Sequence, residues 1–217
     1  QEQVGMFANN SSSLINRGEI NLAASAGSVP SVGIYTNDAA TDIVNDGKIT
    51  GGNKNYGIFG TTVTHGSTGD MTVGDSSFGY VIKNTGTTAL TTNGTVTLGN
   101  EAKYIYSNNS DITVTNNVAL TSTGNNTYGI YSPGTVVNNA NIDFGRGTGS
   151  VAIYAINGGN ATNNAVISVS GSNLTATPVP EYGMGMATSN GTITNNGTIN
   201  INSSGGYATF IVSGGII

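Results

Sequence analysis

The sequence contains no cysteine and no tryptophan, and its one histidine is His65. Without cysteine there is no disulfide, no thiol nucleophile and no Cys-based zinc site. Such a chain suits export in the unfolded state. Charge is also scarce. Lys, Arg, Asp and Glu make up 8% of the residues, against about 25% in ordinary soluble domains. The basic residues Arg17, Lys48, Lys54, Lys83, Lys103 and Arg146 are scattered, so no patch points to nucleic acid. No apolar run reaches the roughly 18 residues of a spanning helix. The opening Gln1-Glu2-Gln3 lacks the basic and apolar regions of a signal peptide. Disorder would go with low hydrophobicity and high net charge. Here 36% of residues are hydrophobic and the net charge is -5, which favours a packed but narrow core. The 33 glycines follow no three-residue period, which excludes collagen.

What is abundant is repeated. The stretch Thr192–Phe210 holds three short pieces: one ending in Asn-Asn-Gly, the alternating Thr198-Ile199-Asn200-Ile201, and a Gly-rich turn leading to Tyr207-Ala208-Thr209-Phe210. The same order recurs about eight times. The small or polar residue two places before the alternating piece forms the column Gly18, Gly47, Gly69, Gly94, Asn116, Ala140, Ala165, Gly197, at steps of 22 to 32 residues. Such periods mean a solenoid, propeller or array.

Four places before that anchor stand Leu14, Ile43, His65, Leu90, Ile112, Val136, Ala161 and Ile193. Two places after it stand Ile20, Ile49, Met71, Val96, Val118, Ile142, Ile167 and Ile199, with Leu22, Gly51, Val73, Leu98, Leu120, Phe144, Val169 and Ile201 two further on. This is period-two alternation, one face buried and one wet. No helical spacing is sustained, so almost no helix is expected.

The third piece is a Gly-Ile-Tyr motif. It reads Gly33-Ile34-Tyr35, Gly57-Ile58-Phe59, Gly79-Tyr80-Val81, Tyr104-Ile105-Tyr106, Gly129-Ile130-Tyr131, Ala152-Ile153-Tyr154, Gly183-Met184-Gly185 and Ala208-Thr209-Phe210, with a partial copy at Gly5-Met6-Phe7. Three strands per period predict a three-sided coil, too thin to bury its own apolar face, so neighbours must stack. Propeller blades need about 40 residues, and a sandwich would not repeat one column pattern. The expected fold is therefore all-β: a right-handed, three-sided parallel β-helix of about eight coils forming one unit over 1–217. The handedness is the usual one for parallel crossovers.

The column Asn16, Asn45, Asn138, Asn163, Asn195 is read as corner chemistry: Asn tolerates positive φ and bonds its own backbone. His65 falls in an inward column, with Val63 replacing it if the register slips by two. No Ser-His-Asp set and no zinc-ligand set accompanies it. Asp38, Asp42, Asp70 and Asp75 are the acids that a glycan-cleaving site would draw on, but nothing pairs them. Gly147-Thr148-Gly149-Ser150-Val151-Ala152 fits G-x-G-x-x-A without the helix that would hold a phosphate. No catalytic, cofactor or metal residue is expected.

Candidate binding positions lie where the copies differ. One is the insertion before Gly183, with Gly171, Ser172, Asn173, Leu174, Thr175, Pro178, Pro180 and Glu181. Another is Ala23–Val32, with Ser28 and Pro30. Insertions in solenoids map to loops and often to binding surfaces. The third is the column Tyr35, Phe59, Tyr106, Tyr131, Tyr154, followed by Phe210. If the neighbouring Ile points in, these rings line the outside, suited to a glycan or protein; otherwise they stack only on each other. The column Val32, Tyr56, Phe78, Lys103, Tyr128, Val151, Tyr182, Tyr207 is expected to share the Ile side and fill a core corner.

Asn195–Ile201, Tyr128–Ser132, Asn138–Ile142 and Asn163–Ile167 resemble the repeats of type V autotransporter passenger domains, most of all the very large outer-membrane adhesins of fusobacteria and their relatives. The resemblance covers nearly the whole chain and carries no catalytic residue. It implies an exported β-helix on the cell surface, attached to the outer membrane only through a C-terminal β-barrel. On this reading the chain is a passenger segment starting and stopping within repeats, and acts as a non-catalytic stalk in adhesion. The implied partners are a protein or glycan of another bacterial or host cell, or a second copy. A pure spacer, and less so a polysaccharide-acting enzyme, stay open as alternatives.

Overall fold

In the computed structural model, residues 3–38, 41–60, 62–65, 69–83, 86–90, 95–177 and 181–217 are described. They form a parallel β-helix without helices. Each coil contributes one strand to each of three faces. The first face has nine strands, from Val4–Phe7 to Tyr207–Ser213. The second has eight, from Ser13–Asn16 to Thr192–Asn195, and the third eight, from Glu19–Leu22 to Thr198–Ile201. We call them the aromatic, amide and threonine faces. Strands pair in parallel with the equivalent strand one coil away.

The core is a set of like-on-like ladders. On the threonine face, Ile20, Ile49, Met71, Val96, Leu120, Ile142, Ile167 and Ile199 stand in register. The fifth rung is therefore Leu120, not Val118, and the next inward position there is Ser122, not Leu120. On the amide face the backbone register aligns Leu14, Ile43, Val63, Thr88, Val114, Val136, Ala161 and Ile193. This corrects the expected column at three places, where His65, Leu90 and Ile112 had been aligned. The backbone of His65 instead pairs with Asn45 and Leu90. Ile34, Ile43, Ile49, Ile58, Ile105, Ile130, Ile153 and Ile167 are fully buried.

The reason for the slip is a corner that changes length. Six residues separate the rungs of the amide and threonine faces in six coils, as from Leu14 to Ile20 or Ala161 to Ile167. Eight separate them in the third and fourth coils, from Val63 to Met71 and from Thr88 to Val96. The six-residue corners all carry an Asn two places after the amide-face rung: Asn16, Asn45, Asn116, Asn138, Asn163 and Asn195. Its side chain grips the corner. Asn116 Oδ1 accepts from Val118 N, and Nδ2 donates to Val118 O. The other Nδ2 hydrogen bonds to the next coil: Asn116 to Asn138, Asn138 to Asn163 and Asn163 to Asn195, at 2.8, 2.8 and 2.9 Å. The local backbone bond expected of this column is present at Asn16, Asn138, Asn163 and Asn195. Its expected positive φ is not: these residues end strands, and positive φ falls elsewhere.

Candidate binding face

The aromatic face departs from simple alternation. In Val32–Tyr35 and Tyr56–Gly60 the two central residues, Gly then Ile, are both buried. A Cβ on Gly33 would lie 2.5 Å from the carbonyl oxygen of Gly57, and one on Gly57 2.7 Å from that of Gly79. Glycine lets the backbone bend inward there. Two adjacent inward positions leave the residues on either side both facing out. The face therefore carries two outward columns.

One column is Phe7, Tyr35, Phe59, Val81, Tyr106, Tyr131, Tyr154, Ala187 and Phe210. The other is Val4, Val32, Tyr56, Phe78, Lys103, Tyr128, Val151, Met184 and Tyr207. The second column was expected in a core corner and lies outside instead. Its seventh-coil members shift as well: Met184, not Tyr182, takes the column, and Met186 takes the inward Ile place. Tyr104 replaces Gly in one coil and turns its ring into the core, edge-on to Tyr80 at 5.4 Å.

The rings of the first column lie on the outside, Phe7 exposed and the others half-buried, and they stack on one another. Phe7–Tyr35, Tyr35–Phe59 and Tyr106–Tyr131 lie 5.6, 5.2 and 5.5 Å apart and nearly parallel. Tyr131–Tyr154 and Tyr56–Phe78 meet edge to face at 5.4 and 5.2 Å. Cations sit over rings: Lys83 over Phe59, and Lys103 over both Phe78 and Tyr128, at 5.2, 5.2 and 5.1 Å. Burial lowers the Lys103 pKa against the opposing pull of Glu101. Burial, then Tyr154 and Glu181, raise that of Tyr128. Burial, then its tyrosine neighbours, raise that of Tyr131.

A polar rim runs beside this floor. The corner before the face places Lys54, Ser76, Glu101 and Asn126 at φ of 58°, 53°, 55° and 55°. Their backbone N–H groups donate to the neighbouring coil, Lys54 to Asp75 and Ser76 to Asn100. The preceding residues add a side-chain ladder: Asn100 N donates to Asp75 Oδ1, Asn125 N to Asn100 Oδ1 and Thr148 N to Asn125 Oδ1.

Both insertions stand against this floor. Ser28 and Pro30 wall a groove of about 320 Å³ with Lys54, Tyr56, Ser76 and Phe78. Pro30 and Val29 wall another, of about 430 Å³, with Tyr35, Tyr56 and Phe59. The loop is tied down where Ser25 Oγ donates to Asn55 Oδ1 at 2.6 Å. The second insertion closes as a small antiparallel bridge between Asn173 and Glu181. Gly171 N donates to Ser203 Oγ, and Ser172 Oγ to the Gly205 carbonyl. Glu181 accepts from Asn126 Nδ2 at 2.7 Å and lines a groove of about 490 Å³ with Glu101, Lys103, Tyr128 and Tyr182. Ser172, Asn173, Leu174 and Thr175 line none of these three grooves, and Leu174 is 58% exposed. Pro178 and Pro180 lie outside the described residues.

The second ring column and the rim were not anticipated as a site. Their signal is an aromatic pair three apart, as in Tyr56 and Phe59, Tyr128 and Tyr131, Tyr207 and Phe210, with the rim residue two places earlier. The acids are not gathered: Asp38 accepts from Ser11 N and Thr41 Oγ1, and Asp75 serves the corner ladder. Among the described residues no cluster of three or more His, Asp or Glu is placed to hold a metal ion. No protein-family model, curated protein or solved structure matches the chain.

Proposed function

We propose that this chain is a non-catalytic segment of a cell-surface adhesin, a stiff rod whose aromatic face makes the contact. The repeat resemblance supports an exported passenger, held at an outer membrane by a barrel. The observation that carries the contact reading is the convergence of both insertions on the double aromatic column, with Pro30 against Tyr35 and Tyr56, and Glu181 against Tyr128. Contiguous partly exposed apolar surface with a polar border is the usual mark of an interaction site. Tyrosine is among the side chains enriched at the anchoring positions of such sites. The partner is a protein or glycan on another cell.

Adhesion of cells to the immobilised chain tests this. Tyr106→Ala, Tyr131→Ala and Tyr154→Ala combined should abolish capture. A triple change on the amide face (Thr113→Ala, Thr135→Ala and Thr192→Ala) should leave it intact. Equal loss from both faces, or from neither, would sink the reading. Rod-to-rod association and a pure spacer are the outcomes that would replace it.

A further inference from the structure

We propose that the aromatic face binds a neutral, unbranched sugar chain laid lengthwise along the rod, about one sugar unit per coil. This rests on the aromatic face being the contact surface. The first ground is period. Floor and rim keep the coil period over four successive coils: Lys54 beside Tyr56, Ser76 beside Phe78, Glu101 beside Lys103 (whose ammonium lies over the rings on either side) and Asn126 beside Tyr128. Strands stack at about 4.8 Å, close to the length of one pyranose ring in an extended chain. A ligand matching such a surface is itself a polymer with that repeat.

The second ground is chemistry. A pyranose offers an apolar C–H face and an equatorial belt of hydroxyls. The rings supply an apolar floor of stacked and edge-to-face aromatics, and the rim beside it supplies amide, hydroxyl, ammonium and carboxylate groups. Three rim side chains are already held: Ser76 Oγ donates to Glu101 Oε2 at 2.8 Å, and Asn126 Nδ2 to Glu181 at 2.7 Å. Lys54, Ser76 and Glu101 occupy left-handed backbone where Asn or Gly would be less strained. Their side chains are kept there at a conformational cost.

The third ground is charge and shape. Lys83 and Lys103 lie over rings, and Glu101 and Glu181 lie beside Lys103 in the same groove. That mixture does not favour a sulfated or uronic polyanion. The insertions wall the grooves at Pro30 and at Glu181, which hinders a second flat rod from lying flush on the floor and favours a narrower ligand.

The test uses the whole chain with β-1,4-glucose, β-1,4-xylose and β-1,3-galactose oligomers, from disaccharide to hexasaccharide. Binding is read by calorimetry and by tyrosine fluorescence, which no tryptophan obscures. Affinity for at least one series should climb with each added unit. Tyr128→Ala and Tyr131→Ala should each weaken it about tenfold, with unchanged thermal unfolding as the folding control. Tyr131→Phe keeps the stacking surface and should stay within about twofold. Three results would overturn the proposal: no binding by any neutral oligomer at millimolar concentration, preference for heparin fragments, or a dimer that Tyr131→Ala dissolves. Cell capture lost in Tyr131→Ala without oligosaccharide binding would end this inference but keep the adhesin reading. Oligosaccharide binding without cell capture would do the reverse.

Discussion

Asn45 stands in register with His65, and at that step the buried amide ladder stops. Asn16 Nδ2 donates to Asn45 Oδ1 at 2.7 Å, but Asn45 Nδ2 is buried without a hydrogen-bond partner. The ladder resumes at Asn116, after Leu90. His65→Asn should give the Asn45 donor an acceptor and raise stability by about 1–2 kcal/mol, because a buried unsatisfied group is worth that much. Chemical denaturation reads this directly. His65→Asn with Leu90→Asn should gain more than either alone.

Inside the ladder the sign reverses. Asn163 accepts from Asn138 and donates to Asn195 and to the Ala165 carbonyl. Asn163→Ala strands the buried Asn138 amide on one side, while Asn195 on the other is exposed, and should cost about 1–3 kcal/mol. Asn164, next in sequence, makes a similar ladder with Asn139 and Asn196, but in water. Asn164→Ala should change stability by no more than about 0.5 kcal/mol. Equal losses would show that burial is not what gives the inner ladder its value.

Tyr80 and Tyr104 predict alkaline behaviour. Burial, first of all, raises both pKa values well above the ordinary tyrosine value. Their contribution is complete below the unfolded value of about 10 and is lost as pH rises above it, since only the unfolded chain ionises readily. The melting temperature should therefore be flat from neutral pH to about 10 and fall beyond. Tyr104→Phe should make that fall shallower. At neutral pH it should change stability by no more than about 1 kcal/mol, because the fully buried Tyr104 hydroxyl faces the equally buried Tyr80.

Glu181 fastens the second insertion across two coils through Asn126. Glu181→Ala should speed limited proteolysis in the exposed segment 172–177 several-fold. Glu181→Gln keeps an acceptor for Asn126 Nδ2 and should stay close to the parent rate. Global unfolding should move little in either variant, since the loop adds few core contacts.

The strands and the coil order were legible because the coils repeat Ile20, Ile49 and Ile167 in one chemical role. A column repeated many times outweighs any single position. The register failed where that redundancy ran out. His65 and Leu90 stand where other coils have Asn, and two extra corner residues shift the count. Val118 was misplaced by the reverse trap, an apolar residue at the corner position that other coils give to Gly or Ala. The aromatic face was half legible. Period-two reasoning puts Tyr35 outside but wrongly sends Tyr56 inside, because it cannot foresee a backbone bent at Gly57 by the close approach of the next coil. The grooves were not legible at all, since Pro30 and Tyr56 meet only through the stacking of separate coils.

The interrupted amide ladder also has a mechanical meaning. A stacked array holds together by nearest-neighbour steps, and tension along its axis loads every step equally. The coils up to Asn45 and those from Asn116 onward are each tied by amide bonds. Between them the backbone register puts His65 and Leu90 in the place of Asn. Under shear between two anchored surfaces the rod should yield there first, with the two bonded blocks staying folded on either side.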